Sequence, residues 1–220
     1  APLVLTKKLS GKERKASLEA LPERYRQFLA DVEPIITDVE EATLLRLASD
    51  YQRDRFVEDF WKRRSVDEDG QRVSFREIYE MRLQVVKERF RHINTDQGRV
   101  FLLNGPPDGL RKIDCTDIYN PIEIWYYERI ESLKASKVTL LFYQPFGTGD
   151  YRLWTPLDGP QAILAGGIAG LTGISPGRAI DVTRCPEWRE VNGAVNAATG
   201  IFGTMGASKL IEDLRTPEKP

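Results

Sequence analysis

The chain has 220 residues, 41% of them hydrophobic and 30% charged, and 32 Lys+Arg against 33 Asp+Glu leave a net charge of −1. That balance supports a real core and excludes disorder as the default, and it leaves no overall basic bias to attract nucleic acid or an anionic membrane. No run of about 18 apolar residues occurs, so no transmembrane segment is expected; the nearest stretch, Ala162 to Ile174, is short and broken by Gly166, Gly167, Gly170 and Gly173.

Residues 1–20 are polar and lysine-rich, and they read as a mobile arm or a short helix. From Leu21 to His92 the pattern is helical. Tyr25, Phe28, Leu29 and Val32 recur at helical spacing. Three capping boxes follow, Thr37 to Glu40, Ser49 to Gln52 and Ser74 to Glu77, in which a hydroxyl caps the N3 amide while the Glu or Gln reaches back. The apolar faces behind them, such as Phe56-Val57-Phe60-Trp61, are expected to be core stripes. Lys62, Arg63 and Arg64 read as a solvated helix end, where cations suit the helix dipole. Asp67-Glu68-Asp69-Gly70 supplies a turn before the longest helix.

Beyond His92 the period becomes strand-like. Val100–Leu103, Ile122–Tyr127, Val138–Tyr143 and Tyr151–Trp154 are β-branched, aromatic or aliphatic runs bounded by turn residues. Phe146-Gly147-Thr148-Gly149-Asp150 looks like a hairpin loop. Short separations predict antiparallel pairing, and helices preceding strands predict an α+β fold: a helical N-terminal layer packed on a small antiparallel sheet. Residues 155–180 are Gly- and Pro-rich, and residues 186–214 are again helical, with an Ala/Gly composition that implies close backbone packing against the body or a partner. The expected organisation is an arm over 1–20, an α+β domain over 21–154, and a linker with a C-terminal helical segment over 155–220.

The segment from Thr95 to Asp108 is the most densely punctuated in the chain. Thr95 and Asp96 can cap or close a turn, Gly98 would permit a positive φ, Val100–Leu103 would be a buried strand, and Gly105-Pro106-Pro107-Asp108 would end it. Arg99 has Asp96 or Asp108 as a partner. Together with the surrounding clusters this segment resembles the GWxTD-domain proteins, a bacterial family of largely unknown function. The resemblance covers about Leu21 to Trp154. Upstream it rests on Phe28, Leu29 and Val32, on Ile35-Ile36-Thr37-Asp38 with Glu41, on Arg53 and Phe56, and on Phe60-Trp61-Lys62-Arg63-Arg64. Downstream it rests on Thr95-Asp96, Gly98-Arg99, Asn104-Gly105-Pro106-Pro107-Asp108 and Glu123-Ile124-Trp125-Tyr126-Tyr127. The chain is divergent at the Gly-Trp positions, where His92 and Ile93 stand, and Ser65 replaces the usual Asp. The resemblance implies an exported protein, which suits a chain beginning Ala1-Pro2 after signal-peptide removal, and it supplies no established catalytic residues.

Several chemistries are disfavoured. His92 is the only histidine, which leaves a Ser/His/Asp or Cys/His apparatus without a choice of base, and its place beside Phe90 suggests a structural role. Cys115 lies between carboxylates that would raise a thiol pKa, and a zinc site needs more Cys and His than are present. Asp67, Glu68 and Asp69 lack EF-hand spacing, and Gly200-x-x-Gly203-x-x-Gly206 has no preceding strand. No metal or cofactor is therefore expected. Cys115 and Cys185 are either one disulfide closing a loop of about 70 residues or two buried thiols.

The candidate binding residues are Asp96, Arg99, Asn104 and Asp108 at the punctuated segment, with Trp125 and Tyr127 on one face of a strand. The expectation is an exported, non-enzymatic interaction module, a structural or accessory subunit that contacts a protein partner through its C-terminal segment. The alternatives are a carboxylate-dependent hydrolase acting near Asp96, Arg99 and Asp108, and a peptide- or polysaccharide-binding domain using the Trp125–Tyr127 strand.

Overall fold

The computed structural model describes residues 9–65, 75–165 and 181–205, so the cap at Ser74, the acidic turn at 67–70, most of the Gly-rich stretch and the chain beyond 205 lie outside the described residues. It has an α+β fold. Two compact units divide the chain, residues 1–84 with 216–220, and residues 85–215, the boundary falling inside a helix.

The first unit is helical: α1 (Gly11–Ala20), α2 (Glu23–Asp31), α3 (Asp38–Arg46), α4 (Asp50–Arg64) and the beginning of α5 (Phe75–Arg89). Each of the first, third and fourth helices begins where a hydroxyl and a residue three positions on satisfy two orphan amides at once. The Thr37/Glu40 and Ser49/Gln52 boxes form as expected, and Ser10/Glu13 makes a further one that turns the polar N-terminal region into a short helix. Tyr25, Leu29, Leu44, Phe60, Trp61 and Tyr79 are buried, and the rings of Phe28, Phe60 and Trp61 meet edge to face.

The basic end of α4 departs from the expected solvated run. Arg64 is only 8% exposed, because its guanidinium folds back over the Phe60 ring at 3.7 Å. It grips Glu40 with two hydrogen bonds of 2.8 and 3.0 Å and donates a third, of 2.9 Å, to the Ile35 carbonyl. The same Glu40 caps α3, so one carboxylate joins a helix start to a helix end. Burial pulls its carboxyl upward, but the hydrogen bonds from Arg64 and the Thr37 amide outweigh that and hold it below its ordinary value.

The second unit contains the four-stranded antiparallel sheet β1 (Gly109–Ile113), β2 (Ile122–Ile130), β3 (Ala135–Tyr143) and β4 (Arg152–Leu153), in sequence order, together with α6 (Asp96–Asn104) and α7 (Trp188–Met205). Register places Lys112 opposite Glu123, Trp125 opposite Leu140, and Glu123 opposite Phe142, so these side chains share one face; Arg111, Ile124, Tyr126 and Leu141 share the other. Helix α6 and the Phe90 ring cover the first face, with Phe90 at 5.9 Å from the Trp125 ring and 5.6 Å from that of Phe101. Helix α7 covers the second, Glu190 reaching Arg111 at 3.1 Å and Tyr126 at 3.3 Å. A sheet covered on both faces buries β2 almost continuously, which removes the alternation of a half-exposed strand.

Two sequence expectations are corrected here. Val100–Leu103 is not a strand but the second half of α6, and the Tyr151–Trp154 strand is reduced to Arg152–Leu153. Val100, Phe101 and Leu102 are all buried, so α6 is apolar on several sides and shows no helical period to separate it from a buried strand. Gly98 is needed for space and not for a positive φ. A Cβ there would lie 2.7 Å from the His92 carbonyl oxygen and 2.6 Å from the Thr95 hydroxyl. Gly105, at φ 85°, ends the helix and not a strand.

Cys115, just beyond β1, and Cys185, just before α7, are joined by a disulfide across 70 residues of sequence. The bond holds the start of α7 against the sheet. Replacing both cysteines by Ser is expected to lower stability by about 4 kcal/mol through regained loop entropy, read as a drop in the urea midpoint. For the first unit, Glu40→Gln is expected to cost about 2–3 kcal/mol at neutral pH, since it strands a buried guanidinium. A carboxyl depressed in the fold stabilises fully above its unfolded value of about 4.3 and ceases to do so as pH falls through the folded value. The gap between wild type and Glu40→Gln in urea unfolding should therefore be full at neutral pH and narrow as pH falls below the unfolded value toward the depressed folded one.

Candidate functional site

Thr95 is the N-cap of α6, its hydroxyl accepting from the Gly98 amide at 3.0 Å while donating to the His92 carbonyl at 3.2 Å. Asp96, the first helical residue, accepts a 2.8 Å hydrogen bond from the Leu153 amide and so anchors β4 to the helix start. At the other end, Asn104 donates from Nδ2 to the Val100 carbonyl at 3.0 Å and accepts from the Ser132 hydroxyl at 3.0 Å. Asp108, past the Gly-Pro-Pro corner, accepts from the Glu128 amide at 2.7 Å. Arg99 reaches Asn94 at 3.4 Å. Asp96 and Asp108 thus tie the start of α6 and the following corner to the sheet, while Asn104 joins the helix end to the turn after β2. They are distributed along the whole helix and its exit and do not converge on one point.

Trp125 and Tyr127 are corrected as surface candidates, being 0% and 3% exposed. The Trp125 indole donates to Glu123 at 3.1 Å and the Tyr127 phenol to the Gly105 carbonyl at 3.0 Å, so both rings are core with satisfied polar tips. Between them they remove the recognition surface expected on that strand. His92 is exposed, and its backbone joins Phe90 to the Thr95 cap.

What the structure does bring together is a cleft on the α6 face of the sheet. It encloses about 260 Å³, and its floor is the carboxylate of Glu123, only 5% exposed. One oxygen of Glu123 takes hydrogen bonds from the Gln97 amide at 2.8 Å and the Trp125 indole; the other faces the Lys112 ammonium at 3.2 Å. Arg89 and Arg91 line the wall formed by the end of α5 and the turn after it. The β3–β4 loop closes the other side with Gln144, Asp150 and Tyr151. Burial, and then the Glu123 and Asp114 charges, push the Tyr151 phenol up, so it is a hydrogen-bond donor at neutral pH. Arg91 sits at φ 68°, a left-handed backbone conformation that costs a non-glycine residue about 1–2 kcal/mol.

None of the cleft residues was among the sequence candidates. The available signal was the single charge in Ile122-Glu123-Ile124-Trp125, a carboxylate inside an apolar strand. The partners come from other elements, which the sequence does not place next to it. As for metals, Cys115, Cys185 and Glu187 form the only cluster of candidate ligands among the described residues. With the two sulfurs bonded to each other, that cluster offers no thiolate.

The geometry defines an α+β protein with a covered sheet and, among the described residues of its second unit, a small charged cleft. No family model, curated protein or solved structure matches the chain.

The roles of Asp96 and Glu123 separate experimentally. Asp96→Ala is expected to cost about 1 kcal/mol and to speed hydrogen exchange at the Leu153 amide specifically. Glu123→Leu, which leaves the Gln97 amide and Trp125 indole buried without an acceptor, is expected to cost about 2–3 kcal/mol in urea unfolding.

Proposed function

We propose that the chain is an exported, non-enzymatic interaction module, a structural or accessory subunit whose outward α7 face docks on a protein partner. The observation that carries this reading is the composition of that face. Helix α7 buries Val191, Ala194, Ala198 and Phe202 against the sheet, and turns Asn192, Gly193, Asn196, Ala197 and Gly203 outward. A Cβ at Gly193 or Gly203 would meet nothing within 4 Å, so no packing inside the unit requires glycine there. Each glycine costs about 1 kcal/mol in helix propensity relative to alanine. A face kept small at that cost suits the close approach of another backbone, here a partner's helix or strand.

The disulfide supports placement in an oxidising compartment, periplasmic or otherwise extracytoplasmic, because such bonds do not persist in most reducing cytosols. The GWxTD resemblance, which we propose on its sequence clusters, points to the same compartment. The hydrolase alternative lacks a supporting observation, since Asp96 and Asp108 each have a carboxylate oxygen engaged by a backbone amide and lie at opposite ends of α6 and its exit. No helix among the described residues is long and apolar enough to cross a membrane.

Deleting the C-terminal segment would strip one face of the sheet, so the test is better made by substitution. Gly193→Leu and Ala197→Leu project into open space and are expected to leave the thermal midpoint within a few degrees of wild type. Tagged wild-type chain returned to its native source should copurify with a larger assembly, and both variants should lose it. Gly193→Ala is expected to gain up to about 1 kcal/mol of stability. Unchanged copurification by the folded Leu variants would sink the reading.

A further inference from the structure

The charged residues lining the Glu123 cleft are three cations, Arg89, Arg91 and Lys112, against two carboxylates, Glu123 and Asp150. Glu123 is already satisfied, one oxygen by Gln97 and Trp125 and the other by Lys112. That leaves two guanidinium groups in the lining, Arg89 and Arg91, with the exposed carboxylate of Asp150, while Asp114 outside the lining acts on Tyr151. Arg89 lies over the Phe90 ring at 5.3 Å, and neither arginine makes an ion pair among the described residues. Arg89 and Arg91 are both exposed, both line the same concave space, and the planar donors of a guanidinium match the oxygens of an anion.

The backbone strengthens the case. After α5 ends at Arg89, the chain turns through Arg91 in the left-handed conformation, a position where helices most often place glycine. Arginine there is worse for the turn than glycine, and among the described residues its side chain makes no compensating bond.

We propose that this cleft binds a small molecule carrying one carboxylate or phosphate group, held by Arg89 and Arg91 against a floor of Glu123, Gln97 and Lys112. Its volume, about 260 Å³, lies below the roughly 300–1,000 Å³ of sites for drug-sized ligands, so the ligand is of fragment size. The Tyr151 phenol supplies a further donor on the opposite wall, and the Phe90 ring offers an apolar surface for the body of the ligand. Glu123 acts as a positioning residue: its two oxygens hold Gln97 and Lys112 in place. This site is independent of the α7 face, and either can fail without the other.

The Trp125 indole N–H, bonded to Glu123, gives a local reporter. The intact protein, labelled with 15N, is titrated with inorganic phosphate, with benzoate, and with methylammonium as a cationic control. Saturable movement of the Trp125 indole resonance in the millimolar range or below is expected with phosphate or benzoate and not with methylammonium. Saturation by phosphate alone assigns the phosphate class, and saturation by benzoate alone the carboxylate class. Arg91→Gly should keep or raise the thermal midpoint, because glycine suits the turn, yet weaken binding at least tenfold. Arg89→Ala should weaken it similarly without touching the turn, while Arg184→Ala, an exposed arginine elsewhere in the same unit, should leave it unchanged. The proposal is overturned if neither anion saturates, or if binding survives both Arg89→Ala and Arg91→Gly.

Discussion

The second unit depends on how one buried carboxylate is satisfied. A Glu123 side chain inside an apolar strand would be strongly unfavourable if left unpaired, and its partners come from three directions: Gln97 from α6, Lys112 from β1 and Trp125 from its own strand. Meeting that demand sets α6 across the sheet in one orientation. With α6 so placed, Asp96 lies under β4, Asn104 beside Ser132, and Tyr127 within reach of the Gly105 carbonyl. Lys112 keeps more than half of its side chain in water, so its part is screened, and the neutral Gln97 and Trp125 donors are the buried part of the arrangement.

The first unit solves a similar problem with the signs exchanged. There the buried charge is Arg64, and Glu40 answers it while also capping α3. In both units a charged group is tolerated inside because it joins elements distant in sequence. Such pairs do more for the choice of one arrangement than for net stability, since desolvation offsets much of their attraction.

The second sheet face is held differently. Apolar contacts from Val191, Ala194, Ala198 and Phe202 dock α7, and the Cys115–Cys185 bond limits how far its start can stray. Helices thus cover both faces of the sheet, and the cleft over Glu123 and Lys112 stays open on the α6 side. The surfaces we propose for function are the outward side of α7 and the cleft at the end of α5; the cleft takes Thr95 and Gln97 from the punctuated segment, but not Asp96, Arg99, Asn104 or Asp108.

Local chemistry was legible from the chain alone. The caps at Thr37 and Ser49, the long strands around Trp125 and Leu140, their antiparallel pairing and the α+β order follow from hydroxyl spacing, side-chain type and short connections. Thr95 and Gly105 were recognised as boundaries, but the residues between them were assigned to the wrong element, because a short run buried on several sides has no period to betray helix or strand. Burial on the second face of β2 was likewise hidden, since Trp125, Tyr126 and Tyr127 look the same whether their neighbours are water or helices. Arg64 and Glu123 show the general reason. Whether a charge is solvated or buried depends on partners 24 and 26 residues away, and only the folded chain brings those partners within hydrogen-bonding distance.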